Sequence, residues 1–182
     1  MTMEKAFLTI SSTIFGSEND ATNMQSPPPR QFQPEKQISE RDSIIVDMLN
    51  SPGHEDVSFC VCDPDLADCP IIYVSSAFCT FTGYDHTEIE GKNCRFLQGP
   101  ETEKSDVDRI RAAIKSEVAT NVNLLNYKKD GTKFINEFFI SPLRDENQKL
   151  LYFIGVQVEV PKQGPGQAPS NPGWVYTVGN HS

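Results

Sequence analysis

Gly91-Lys92-Asn93-Cys94-Arg95-Phe96-Leu97-Gln98 sets a cysteine between an asparagine and an arginine, with a helix-ending glycine before it and a new helix after it. A thiol in such surroundings can act as a nucleophile, because neighbouring positive charge favours the thiolate. The opposing reading is packing, since free cysteines are among the most buried residues and are usually inert. Spacing alone leaves both open.

Outward from this octad, the chain alternates strand and helix signals. Residues 57–62 and 71–74 read as strands joined by the turn-rich Asp63-Pro64-Asp65. Short helices fit 77–82 and 87–90, stopped by Gly83 and Gly91. A longer helix over about 102–116 carries Val107, Ile110 and Ile114 on one face, with acids early and bases late, as the helix dipole favours. Three strands follow at 121–128, 133–143 and 149–159, turned by Asp130-Gly131 and by Asp145-Glu146-Asn147. The order predicts an α+β domain: a five-stranded antiparallel sheet with short helices on one face.

Four segments are expected. Residues 1–38 are polar and include Pro27-Pro28-Pro29, so they bury too little apolar surface to order themselves. Residues 39–52 form an amphipathic flanking helix capped by Ser39, with the stripe Ile44, Ile45, Met48 and Leu49. Residues 53–160 form the folded domain, and 161–182 a Pro/Gly-rich tail ending in the β-prone patch Trp174-Val175-Tyr176-Thr177-Val178. The helix stripe needs a surface. The outward parity of the sheet, Leu125, Tyr127, Ile135, Phe139, Tyr152, Ile154 and Val156, is apolar enough to supply one, in the same copy or a second.

The 182 residues carry a net charge of −9, which argues against nucleic acid or an anionic membrane as partner. No apolar run reaches the roughly 18 residues a membrane helix needs. The Lys5–Phe15 region only faintly mimics a signal peptide, its apolar core being broken by Thr9, Ser11, Ser12 and Thr13. Five cysteines lack metal-ligand spacing, and His54, His86 and His181 are scattered, so no metal is expected. Reduced thiols in a cytoplasmic or nuclear setting, not a secreted one, are the expectation.

Strand parity points to a ligand. Leu124 and Asn126 share one face, as do Phe134, Asn136, Phe138 and Ile140, and again Phe153, Gly155 and Gln157. If the apolar members face the core, three amides are buried with them. An unpartnered buried amide costs about 1–3 kcal/mol. Either the amides bond each other and nearby backbone, or they meet a flat ligand with an apolar body and a donor–acceptor edge. Gly155 would let such a ring approach closely.

GKNCRFLQGPET, beginning at Gly91, resembles the flavin-binding signature of LOV domains, the blue-light-sensing branch of the PAS superfamily. The likeness covers about residues 57–160 and implies the PAS fold. It also implies a blue-light photoreceptor, similar to a short LOV protein or an isolated LOV domain of phototropin or aureochrome type. By it, Cys94 is the nucleophile of a reversible cysteinyl-flavin adduct, and Gln157 is the amide whose rotation reports the change. Asn93, Gln98, Asn126, Asn136 and Gln157 would meet the polar atoms of the flavin. Leu124, Phe138, Ile140 and Gly155, with Val107 and Ile110, would line its apolar surface. Arg95 and Arg111 would hold the phosphate.

Cys60, Cys62 and Cys69 would also border the ring, at places where the family often has valine, threonine and asparagine. The resemblance favours FMN over FAD, because the segment between Gln98 and Arg111 lacks the insertion of some adenine-dinucleotide-binding relatives. It implies a sensor and not an enzyme. Its output would pass to a light-dependent homodimer or to an effector protein. The rival reading is a non-photochemical PAS module that senses redox state or mediates interaction. Haem fits poorly there, because neither His54 nor His86 falls on a sheet strand.

Overall fold

The computed structural model describes residues 30–160. The first 29 residues and the tail from 161 on, with its Trp174–Val178 patch, lie outside the described residues. The elements follow in the order α1 (Glu40–Asn50), β1 (Ser58–Cys62), β2 (Ile71–Val74), α2 (Ser76–Thr82) and α3 (His86–Ile89). A single 3₁₀ turn (Cys94–Leu97), α4 (Lys104–Ser116), β3 (Thr120–Tyr127), β4 (Lys133–Arg144) and β5 (Leu150–Val160) complete them. The strands form one antiparallel sheet in the order β2-β1-β5-β4-β3. The α+β reading and its five strands therefore hold.

Local signals account for most boundaries. Gly83 closes α2 in the left-handed region at φ 79°, where a side chain would be strained. Asp85 opens α3 with a reciprocal capping box to Glu88. The β3–β4 hairpin turns on Asp130-Gly131, with the Asp130 carboxylate accepting from the Thr132 amide at 2.8 Å. Asp145 serves the β4–β5 hairpin, its Oδ1 accepting from the amides of Asn147 and Lys149 at 2.8 and 2.9 Å.

Two cores flank the sheet. On the inner face Cys60, Cys62, Leu124, Phe138, Ile140 and Phe153 pack with Phe78, Ile89, Leu97 and Ile110 from the helices. On the outer face Phe59, Val61, Tyr152, Ile154 and Val156 pack with Val46 and Leu49 of α1. Central strands buried on both sides read as continuous apolar runs, and every residue of β1 is buried.

The flanking helix begins where expected, with Ser39 Oγ accepting from the Asp42 amide at 3.3 Å. It covers the outer face of its own sheet. Its buried side differs from the expected stripe: Val46 and Leu49 are buried, Ile45 and Met48 half-buried, and Ile44 is 62% exposed. Val46, one turn before Leu49–Asn50, takes the place expected for Ile44 in the outer core.

Order also extends further toward the N-terminus than the polar composition suggests. Residues 30–38 run as a strap over the outer face, with Phe32 buried between Tyr73 and Tyr152 at ring-centroid distances of 5.5 and 5.6 Å. Tyr152 Oη accepts from the Lys36 amide at 2.9 Å, and Tyr73 Oη donates to Arg30 O at 2.8 Å. One aromatic and a few long-range hydrogen bonds fasten a segment whose composition is polar.

Candidate functional site: a thiol-lined cavity on the inner face

Between the inner face of the sheet and α4 lies a cavity of about 400 Å³, within the range of small-molecule sites. Cys60, Cys62, Phe138, Ile140, Phe153 and Gly155 form its floor on the sheet. Val107, Ile110, Arg111 and Ile114 line the α4 side, and Asn93, Cys94, Arg95 and Gln98 come from the 3₁₀ turn and its flanks. The β1–β2 loop adds Pro64, Leu66, Asp68 and Cys69. The chain thus brings together, around one space, residues spread from position 60 to position 155.

The turn that carries Cys94 is pinned on both sides. Lys92 O accepts from the Ile71 amide and the Gly91 amide donates to Ile71 O, both at 2.8 Å, which ties the segment to the start of β2. Asn93 caps the turn, its Oδ1 accepting from the Arg95 amide at 3.1 Å, while its Nδ2 donates to Asp68 O at 2.6 Å. The Cys94 thiol faces Asn93 Oδ1 at 3.8 Å. Burial pushes the Cys94 thiol up to about 12, with Cys60 and Cys69 adding to it and Arg95 opposing it only weakly. Proximity to an arginine therefore does not make a thiolate here. The Arg95 guanidinium is engaged by Asp68 in a bidentate pair at 2.6 and 2.8 Å.

Arg111 borders the cavity from α4 and pairs with Asp108 at 2.9 Å. Both arginines stand at the rim, exposed, each with a carboxylate partner that an incoming anion would have to share or displace. Asp68 is held below the usual carboxylate range by its Arg95 hydrogen bonds.

The three amides divide. Asn136 Nδ2 donates to Asn126 Oδ1 at 2.9 Å, and Asn126 Nδ2 donates to Leu125 O at 3.2 Å. Gln157 Nε2 donates to Cys60 Sγ at 3.5 Å, and its Oε1 accepts from Ser58 Oγ at 3.4 Å. All three are buried on the inner face, as parity requires. They do not border the cavity, and neither does Leu124. The Phe138 ring lies so close to Gly155 that a Cβ added there would meet it at 2.7 Å. Asn136 Oδ1, by contrast, is buried with no hydrogen-bond partner, at a cost of about 1–3 kcal/mol.

A flavin fits this inventory. The cavity offers apolar walls, a glycine on its floor and two guanidinium groups at its mouth. Sequence reading missed Ser58, Ile114 and the loop residues Pro64, Leu66 and Asp68. Ser58 was legible by its two-residue spacing from Cys60, whereas the loop path depends on tertiary packing.

A family model described as PAS domain matches residues 56–161. Phototropin-2 of Oryza sativa subsp. japonica is 50% identical over 109 residues, which are 60% of this chain and 12% of that protein. A protein named blue-light photoreceptor from Listeria monocytogenes is 46% identical over 117 residues, 64% of this chain and 45% of that protein. The chain thus spans less than half the length of either relative. Among solved structures, the light-state Aureochrome1 LOV domain aligns with a TM-score of 0.57 at 50% identity, covering 58% of this chain and 82% of that one.

Proposed function

Because the chain belongs to the PAS domain family, and within it to the LOV branch, we propose that it is a blue-light photoreceptor that holds a flavin in the thiol-lined cavity. FMN is the preferred form over FAD. The carrying observation is the half-buried Cys94, its thiol on the wall of a cavity whose other walls suit a flat, phosphate-bearing ring.

When bound, the flavin supplies blue-light absorption and a ring carbon that can accept a thiol reversibly. Cys94 brings the nucleophilic sulfur, kept protonated in the dark by burial. Arg95 and Arg111 receive the phosphate. Gln98 would fix the orientation of the polar edge, with the bonded pair Asn126 and Asn136 in the sheet behind it, and Val107, Ile110, Phe138, Ile140 and Gly155, backed by Leu124 in the inner core, would exclude water.

Gln157 reports the change. Its two partners, the Ser58 hydroxyl and the Cys60 thiol, can each donate or accept, so the amide can rotate without stranding either. β1 and β5 pair directly at Ser58 and Gln157, and the opposite face of both strands carries α1 and the strap. The route thus leads from the cavity to the N-terminal covering, whose displacement would offer the outer face to a second copy or to an effector. The chain acts here as a sensor without turnover of a substrate.

Purified full-length protein tests this directly. It should be yellow, bleach under blue light and recover its colour in darkness. A yellow protein that does not bleach would instead be a non-photochemical flavin module, and a colourless one would refute flavin binding.

A further inference from the structure

We infer that Cys62 and Cys69 are a redox modification site, a dithiol that closes to a disulfide across the neck of the β1–β2 loop. This goes beyond the photoreceptor reading and does not need it. Four of the five cysteines border one cavity, and that reading gives parts to Cys94 and Cys60 but none to Cys62 and Cys69.

Cys62 ends β1, and Cys69 precedes the Pro70-Ile71 start of β2. The pairing shifts register between Val61 and Cys62, which sets Cys62 opposite Ile71, and beyond it the Asp63 amide donates to Pro70 O at 3.1 Å. Asp68 and Cys69 have φ of 69° and 47°, two successive non-glycine residues in the left-handed region. Each such residue costs of order 1–3 kcal/mol and persists only when its surroundings impose it. The effect of this curl is to bring Cys69 back to the cavity wall that Cys62 forms.

The two thiols are unequal. Cys62 is 7% exposed, and its thiol is pushed well up by interaction with Cys60, then Cys69, and then by burial. Cys69 is half-buried, and its interaction with Cys62 brings its thiol down against the opposing effects of burial, Asp63 and Asp68. Cys69 is therefore the thiol that reaches solvent and ionises first, and Cys62 the one that resolves. Among the described residues no group of three or more ligands could hold a metal, which removes the commonest other use of clustered thiols.

The oxidant is a small-molecule disulfide. The Cys69 thiolate attacks one of its sulfurs, the S–S bond breaks, and one thiolate leaves and takes up the proton Cys69 lost. The Cys62 thiol then gives up its proton, its sulfur attacks Cys69 Sγ in the mixed disulfide, and the second small thiol departs. Two protein thiols are oxidised and one disulfide is reduced to two thiols. The loop so locked carries Asp63 and Asp65, which hold Lys36 of the strap at 2.6 and 3.0 Å, and Asp68, which holds Arg95 and Asn93. It joins the N-terminal covering to the segment that carries Cys94.

Intact full-length protein, incubated in darkness with oxidised glutathione and quenched by alkylation, decides the matter. The free-thiol count should fall from five to three, with a mass loss of two hydrogens, and dithiothreitol should restore both. Cleavage before aspartates separates residues 56–62 from 68–84, and the bridge should hold these two fragments together. Cys79→Ser should bridge like the parent, while Cys62→Ser and Cys69→Ser should not. A bridge that survives in Cys62→Ser, a mixed disulfide at Cys69 that never closes, or five thiols unchanged would each overturn the site. These readouts do not depend on flavin or light, so their failure leaves the photoreceptor reading standing.

Discussion

Gln157 on β5 donates its amide to the Cys60 thiol on β1 at 3.5 Å, and Ser58 closes the other side of the same amide at 3.4 Å. The amide is thus held between two groups that both donate and accept. It is fixed in place without being fixed in direction. A change in the cavity that reaches it through Cys60, which lines the cavity, can invert it at little cost, and the inversion is felt by β1.

Gln157→Leu should therefore keep blue-light bleaching but uncouple it from the outer face. Hydrogen exchange at residues 30–50, compared in dark and light, is the measurement. The parent should show light-dependent exchange there and the variant little. An undiminished light response in the variant would mean that the signal leaves the cavity by another path.

Periodicity and turn chemistry made most of this fold legible. Strand parity fixed the inner face, so Asn126, Asn136 and Gln157 were located correctly as buried amides. Their mutual and neighbouring bonds, and their separation from the cavity beside Phe138, depend on side-chain packing that parity cannot describe. The Cys94 motif was legible because it is local, whereas the acidity of its thiol was not. A neighbouring arginine suggests a thiolate, but burial dominates and Asp68 occupies the guanidinium. The strap was illegible for a different reason. Its hold comes from Phe32 meeting Tyr73 and Tyr152, residues far along the chain, and a polar composition conceals one anchoring ring.

Two neighbours in α1 should respond oppositely to the same change. Ile44→Glu places a charge on a side chain already 62% exposed and should alter stability by less than about 0.5 kcal/mol. Val46 is 4% exposed against the outer core, so Val46→Glu buries an unpaired charge and should cost about 3 kcal/mol or undock the helix. Thermal unfolding of the two variants beside the parent reads the difference. Equal melting temperatures would show that α1 does not rest on the sheet in solution.

The Cys94 thiol makes the sharpest prediction about pH. Burial holds its pKa at about 12 against an ordinary 9.0. At pH 8 the thiolate population is then about a thousandfold below that of a free cysteine, since each pKa unit is tenfold. Dark alkylation by iodoacetamide should accordingly be slow at Cys94 and should accelerate as pH rises toward 12. Tryptic cleavage after Lys92 and Arg95 isolates this thiol from the other four for counting. The same shift bears on stability. A thiol kept neutral in the fold contributes fully below pH 9.0, where the unfolded chain is neutral too, and its contribution is lost as pH rises through about 12. Tyr73, raised to about 12 chiefly by burial, adds to the loss in the upper part of that window. Cys94→Ala should remove its share of the alkaline dependence, retain flavin through Gln98, the arginines and the apolar walls, and abolish reversible bleaching. Bleaching that persists in this variant would assign the nucleophile to Cys60 or Cys62. Rapid dark alkylation of Cys94 at pH 8 would show that the thiol is not held inside the cavity, and the dark-state chemistry drawn from its burial would fall with it.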